Sequence, residues 1–409
     1  MSVVPRYSFD PGDTALTADP YPTFARLRET DPVHWSDLGY WVISRHADIR
    51  SVMMDRTGFG QGDFVRNIQL FYDPDFDVLS NSAYRWLSEV FVMQDPPQHT
   101  RVRRLVTGAL TAKRVRAMEP RIRAITDWLI DGFIRDGSAD IITQFCYRLP
   151  VLVMCDMLGI DPGNPQLPQI VDAIGQSFIV FEARRLSESE LATANREMDR
   201  MDAFFEELFE ARRREPRDDL TTALALSGDS ADALTPHELT TVATGLFGAG
   251  FETTAHMIGN GLLTFARFPD QWTRLCADPE GLAPAAVEEV LRFESSLIGG
   301  YRTALADAEV GGQKIKVGQR VLALIGAGNR DPRVFSDPDR FDIGPRAEQH
   351  LSFGGGIHFC AGAELARLEG AIAFERLAER LPGLRVDLER PAWREGFLFR
   401  GLSRLAARW

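Results

Sequence analysis

Phe353-Gly354-Gly355-Gly356-Ile357-His358-Phe359-Cys360-Ala361-Gly362 is a glycine-rich turn with one cysteine, running into a segment where Leu365, Leu368 and Ile372 share a helical face. Cys360 therefore stands near a helix N-terminus, where the dipole and free N–H groups favour a thiolate. The glycines before it let the backbone come close and aim amides at the sulfur. A buried inert thiol or a phosphate loop are the other readings of such a turn. Against phosphate, Gly354-x-Gly356 is followed three residues on by Phe359, not glycine, and no strand with a following acidic residue gives a dinucleotide context. A thiolate ligand for a cofactor fits best.

Upstream, Thr235-Pro236-His237-Glu238 reads as a capping box, and nothing stops the helix it opens before Phe268-Pro269. The span is about 32 residues, or roughly 48 Å at 1.5 Å per residue, enough to cross the molecule. Inside it lie Gly245, Gly248, Gly250, Gly259 and Gly261, each costing up to about 1 kcal/mol against alanine. Leu246, Ala249, Gly250 and Thr253 fall on one face, shaved nearly to backbone. Such a face suits either close helix packing or a flat bulky body lying against it. Glu252, Thr253 and Thr254 beside it are poor chemistry for a buried helix and good chemistry for delivering protons.

The rest of the chain frames these two features. At 409 residues, 44% hydrophobic and 25% charged, it can bury a sizeable core. No repeat or long linker divides it, so residues 1–409 read as a single domain. Cys146, Cys155, Cys276 and Cys360 form no CxxC pair or disulfide framework, and at least three read as ordinary buried thiols. A net charge of -12 disfavours nucleic acid. The N-terminus lacks a signal-peptide pattern and no 18-residue apolar run occurs, so a cytoplasmic protein with no membrane anchor is expected. PVHWS and Tyr40 to Ser44 alternate like a hairpin, with ADIRSVMMD a short helix after them; residues 100–267 are mainly helical. KIKVGQRVLALIG is β-like, residues 329–356 are loop-rich, and a helix from about Ala361 precedes a terminal hairpin. The fold expected is mainly α with a small β part.

The cysteine stretch resembles the haem-binding loop of the cytochrome P-450 superfamily, F-G-x-G-x-[HR]-x-C-x-G, at every fixed position. Ala249-Gly250-Phe251-Glu252-Thr253-Thr254 is similar to the family's oxygen-activation motif, and Glu289-Val290-Leu291-Arg292 to its E-x-x-R pair. Asp95-Pro96-Pro97-Gln98-His99-Thr100-Arg101-Val102-Arg103 looks like the D-P-P-x-H-T-x-x-R segment, and Asn329 through Phe341 like the meander that meets the E-x-x-R arginine. The resemblance implies a long helix crossing over haem b (iron protoporphyrin IX), with Cys360 in a loop beneath as the iron ligand. It further implies haem contacts from His99, Arg103, Ala249, Arg302, Phe353, His358 and Gly362, proton delivery by Glu252 and Thr253, and a structural pair in Glu289 and Arg292.

The activity so implied is a monooxygenase inserting one oxygen atom of O2 into a lipophilic small molecule such as a terpenoid, steroid, fatty acid or polyketide. Electrons would pass from NAD(P)H through ferredoxin reductase and ferredoxin to a monomeric haem protein. From Gln98 to Ala124 eight cations stand against Glu119 alone, a +7 segment that an acidic ferredoxin could use; a solvated helix paired to distant acids is the plainer reading. The pocket implied draws on Phe91, Phe178, Phe181, Leu246, Leu297, Ile298 and Leu402. Ser296 stands where relatives often have proline, and Gly299-Gly300 follow, so a roomier wall is expected there. A peroxide-driven peroxygenase on the same fold is disfavoured by the acid–alcohol pair, which such relatives lack. A haem sensor or carrier without turnover is disfavoured by the retained proton-delivery residues.

Overall fold

In the computed structural model, which describes residues 9–182, 184–226, 233–344, 347 and 349–409, the long helix begins as its capping residues require. The Thr235 hydroxyl accepts from Glu238 N at 3.2 Å, and the Glu238 carboxylate accepts from Thr235 N at 2.8 Å. Around the helix stand α1 (Gln98–Ala109), α2 (Arg148–Leu158), α3 (Leu167–Ser177) and α4 (Glu188–Arg214). The long helix itself is α5 (Pro236–Arg267), followed by α6 (Pro279–Phe293) and α7 (Ala363–Arg380). Helix α5 packs against α2, α3, α4, α6 and α7, so it runs through the middle of the helical part.

The glycines of α5 are explained by this crowding. A Cβ at Gly248 would collide with the Phe178 ring, at Gly250 with Met154 of α2, and at Gly261 with Phe374 of α7. Close helix packing therefore accounts for these positions, and Gly250 faces protein instead of a flat ligand. Ala249 is different: it is exposed in the middle of a helix that is buried on almost every side.

A five-stranded sheet is built from β1 (Val33–Trp35), β2 (Trp41–Ile43), β3 (Phe59–Gly60), β4 (Gly300–Ala304) and β5 (Arg320–Ala323), in the order β1-β2-β5-β4-β3. The expected hairpin is present, with Val33 opposite Ile43 and Trp35 opposite Trp41. The terminal segment forms the expected hairpin and continues past it into a second sheet. Leu402–Arg404 pairs with Ala392–Trp393, while Ala406–Arg408 pairs with Ser138–Asp140 and with Arg385–Val386. One residue separates these strands, too few to turn one back on the other, so each takes a partner from elsewhere.

The loop carrying Cys360 is held from behind by Arg292. Its Nε and Nη2 donate to the two Glu289 oxygens at 2.8 and 2.7 Å; Nη1 donates to the Asn329 and Pro338 carbonyls at 3.2 and 2.8 Å, and Nη2 to the Arg340 carbonyl at 2.9 Å. Both side chains of the pair are buried. Asn329 continues the lock, donating to Ser295 and Ser352 and accepting from Leu351 N at 2.7 Å. Arg292→Ala would strand a buried carboxylate and three carbonyls, so a loss of about 3–5 kcal/mol is expected in urea denaturation. Arg292→Lys should recover little of it, because an ammonium cannot match the fork.

Candidate functional site

The turn before α7 is shaped by two glycines at positive φ, Gly354 at 70° and Gly356 at 63°. Gly356 also passes so near the Met53 carbonyl that a Cβ would lie 2.6 Å from it. Cys360 N donates back to the Phe353 carbonyl at 2.9 Å, which closes the turn. Cys360 is solvent-reachable, on a turn set among densely packed protein. Burial pushes its thiol up; the Gly362 N–H and the Arg103 and Arg367 charges pull it down. Cys146 and Cys155 are buried as expected, and Cys276 is half-buried. No cluster of three or more metal-binding side chains occurs among the described residues.

Beside the thiol the fold gathers donors from three distant segments. His99 of α1 and His358 of the turn lie ring to ring, 4.4 Å between centroids. All four of their ring nitrogens are buried without a hydrogen-bond partner. Arg302 projects from β4, with Nη1 bonded to the Tyr301 carbonyl at 2.7 Å, and Arg103 Nη2 donates to the Phe359 carbonyl at 2.6 Å. Burial pushes the Arg302 guanidinium down to about 10, with the Asp95 charge opposing. His358 is pushed to about 3 by burial and by Arg302, His99 and Arg103, and His99 is lowered by burial and Arg103. Orphaned donors and like charges on one buried wall are costly unless an anion meets them. A flat dianion such as a haem with two propionates, its iron at the thiolate, fits this donor set. Phe353 is buried against the Arg367 guanidinium at 4.5 Å, and Gly362 is the N-cap residue of α7.

A second accessible strip lies on α5. Leu246, Ala249 and Thr253 are reachable along a helix whose other faces are covered. Thr253 Oγ1 donates to the Ala249 carbonyl at 2.8 Å. Glu252 turns to the neighbouring face, where Oε1 lies 3.2 Å from Arg394 Nη2 and Oε2 is buried without a partner. Burial raises the Glu252 carboxyl, with Arg394 opposing.

An aromatic group packs against α5 beside Gly245 and Gly248. Trp86 stacks on Phe178 at 5.6 Å, and Phe181 lies 5.3 Å from Phe178 and 5.6 Å from Phe399. Leu297 bridges Phe399. Phe91 lies 6.2 Å from His99, joining the aromatic group to the thiolate wall. Ile298 and Leu402 are 1% exposed and sit inside packed cores. Trp86, Tyr147 and Arg394 were not among the residues singled out from sequence: none lies in a motif, and only the folded chain brings them to α5.

The +7 segment is largely neutralised. Arg101 pairs with Glu238, Arg114 with Asp218 at 3.0 Å, Arg121 with Asp156 at 3.1 Å, and Arg123 with Glu119 and Glu375. The plainer reading holds for these four, and the outward charge is smaller than the count suggested.

A cytochrome P450 family model matches residues 62–278 and 281–381. The chain is 35% identical to the vitamin D(3) 25-hydroxylase of Pseudonocardia autotrophica, covering 95% of this chain and 93% of that protein. It is 34% identical to the 6-deoxyerythronolide B hydroxylase of Saccharopolyspora erythraea, covering 100% and 99%. Among solved structures, P450BioI in complex with a hexadec-9Z-enoic acid-ligated acyl carrier protein superimposes with a TM-score of 0.88 at 30% identity, covering 97% and 100%.

Two outcomes are expected. Arg302→Leu should speed haem loss by about 10- to 100-fold, the worth of one charge-assisted hydrogen bond, followed by transfer of haem to an acceptor protein. His256, buried on α5 against Tyr147 and Arg394, is held down to about 3 by burial and Arg394. Below about pH 6.5 the unfolded chain takes a proton that the folded chain refuses, so stability falls with pH by up to about 1.4 kcal/mol per unit. Urea denaturation of His256→Leu should show a shallower pH dependence than the parent.

Proposed function

The chain belongs to the cytochrome P450 family of haem monooxygenases, and on that premise we propose that it inserts one oxygen atom of O2 into a lipophilic small molecule of the macrolide or steroid kind. The group that supports this best is the orphaned donor set beside Cys360, which asks for a dianion in contact with a thiolate. Haem b held there would supply dioxygen binding and O–O cleavage assisted by electron donation from the thiolate.

The protein's own work is binding, orientation and proton supply. Cys360 would hold the iron, on a turn that Arg292 and Asn329 stabilise. Arg103 and Arg302 would neutralise the propionates, and His99 and His358 would donate hydrogen bonds to them. Ala249 leaves room on α5 for a flat body, and Thr253 offers a hydroxyl, bonded at rest to the Ala249 carbonyl, as a donor on the same strip. Glu252 takes up and releases protons, its affinity for them raised by burial. Trp86, Phe178, Phe181 and Phe399 exclude water and press an apolar substrate toward the strip, with Leu246 and Leu297 completing the wall.

Macrolide and secosteroid substrates of the relatives support a large lipophile over a small polar one. Electrons come from a separate ferredoxin reduced by its reductase; Arg103 beside the thiol and the exposed Lys113 and Arg116 mark the docking face. The chain acts as one haem domain in the cytoplasm. No helix of the described residues is long and apolar enough to cross a membrane.

The reduced, carbon monoxide-bound spectrum should carry the thiolate signature and lose it in Cys360→His; a parent spectrum without it would sink the reading. Thr253→Ala should keep that spectrum, consume reductant, and release more of the oxygen as peroxide, measured as peroxide formed per NAD(P)H oxidised.

A further inference from the structure

Strands β4 and β5 each carry an arginine with no acid in contact, and the haem reading uses only Arg302. Arg302 lies opposite Val321 and Arg320 opposite Thr303. Side chains alternate along a strand, so Tyr301, Thr303 and Arg320 share one face of the sheet while Arg302 turns to the other, toward the thiolate wall. Arg320 is left without a role.

Its setting is unusual for a cation. Arg320 is 6% exposed, with its guanidinium 4.1 Å over the Tyr301 ring and 5.8 Å from Phe71. Nη1 donates to the Asn67 carbonyl at 3.3 Å; among the described residues the other donors have no partner, and no carboxylate lies within 4 Å. Burial lowers the guanidinium's hold on its proton, and the groups opposing this are the hydroxyls of Tyr301, Tyr40 and Tyr84. Contact with the Tyr301 ring offsets part of the cost of burying the charge. The rest is relieved only when an anion meets it.

The surroundings hold these donors in place. Asn67 Nδ2 donates to the Gln61 carbonyl and to Thr303 Oγ1 at 2.9 and 3.0 Å, which fixes the carbonyl that Arg320 meets. Tyr40 stands edge to face with Tyr301, 6.1 Å between centroids. Both hydroxyls are buried near each other, and neither completes a hydrogen bond. Glu182, whose charge reaches Tyr301, is committed to Phe397 N and Leu398 N at 3.0 and 3.1 Å. A guanidinium and two unmet hydroxyls in one cluster suit the two oxygens of a carboxylate. The cluster is continuous with the substrate wall: half-buried Phe71, Phe181, Leu297 and Phe399 pack on the same core as Tyr40 and Tyr301.

We propose that Arg320 is a specificity-determining residue which, with the Tyr301 and Tyr40 hydroxyls, receives a carboxylate of the substrate, so that the substrate is a lipophilic acid. Its apolar body lies along Phe71, Phe181, Leu297 and Phe399, and its acid end is held away from the carbon to be oxidised. No bond forms or breaks at Arg320. The inference deepens the monooxygenase reading above and rests on it.

Equilibrium dialysis of the holoenzyme against hexadecanoate and the steroid acid cholanoate, each beside its methyl ester, tests this. At least one acid should bind about tenfold or more tighter than its ester, the worth of a charge-assisted hydrogen bond. Arg320→Met should abolish that preference and leave ester affinity within about threefold of the parent's. Tyr301→Phe keeps the ring under the guanidinium and should weaken the preference by about threefold or more.

Equal binding of acid and ester in both pairs, no binding of either acid, or a preference that survives Arg320→Met would overturn the proposal. Should Arg320→Met not fold, an unchanged preference in both Tyr301→Phe and Tyr40→Phe would do the same. Competition by acetate or inorganic phosphate with no acid-over-ester preference would mark a mere counter-ion hole and overturn it too. A parent without the thiolate signature in its carbon monoxide spectrum would remove the underlying reading as well. With that signature and the Thr253→Ala effect intact, failure falls on Arg320 alone.

Discussion

Every donor of one buried guanidinium is committed, and the thiolate turn depends on it. Arg292 meets both oxygens of Glu289 and the carbonyls of Asn329, Pro338 and Arg340. A buried ion pair of this kind adds little net stability by itself, because desolvation offsets most of the attraction. Its value is geometric: five bonds from one rigid fork tie helix α6 to residues 329–340, and Asn329 carries the tie to Ser352 and Leu351. The glycine turn that presents Cys360 therefore starts from a fixed point.

Helix α5 meets two opposed demands. Its glycines let α2, α7 and Phe178 press against the backbone, which locks the helix laterally. Ala249 and Thr253 stay uncovered on one face, which keeps a reactive surface inside the protein. Close contact on most sides supplies the rigidity that an open strip would otherwise cost.

Charge is handled asymmetrically across the molecule. Near the thiol, His99, His358, Arg103 and Arg302 gather with orphaned donors and wait for an anion to balance them. Near Glu252 the balance is built in, through Arg394, Tyr147 and His256. The first arrangement suits an anionic group, since its cost is relieved only when an anion arrives. The second holds a buried carboxylate beside a cation, with one oxygen paired and the other without a partner.

The thiolate turn, the capped long helix and the E-x-x-R pair were legible along the chain, because each needs particular residue types at short, fixed spacing. Positive φ at Gly354 and Gly356, the reciprocal cap of Thr235 and Glu238, and an i,i+3 carboxylate–guanidinium fork are local constraints that a linear pattern carries. The hairpin at Val33–Ile43 was legible for the same reason. The partners of Glu252 were not, since Arg394 lies 142 residues away and reaches α5 only after the C-terminal strands have found partners at Ala392–Trp393 and Ser138–Asp140. The charge count over residues 98–124 misled because its acids, Asp156, Asp218, Glu238 and Glu375, come from other elements. Sequence determined which chemistry the chain carries; tertiary structure decided which groups face one another, because burial and pairing are set by contacts that no spacing along the chain encodes.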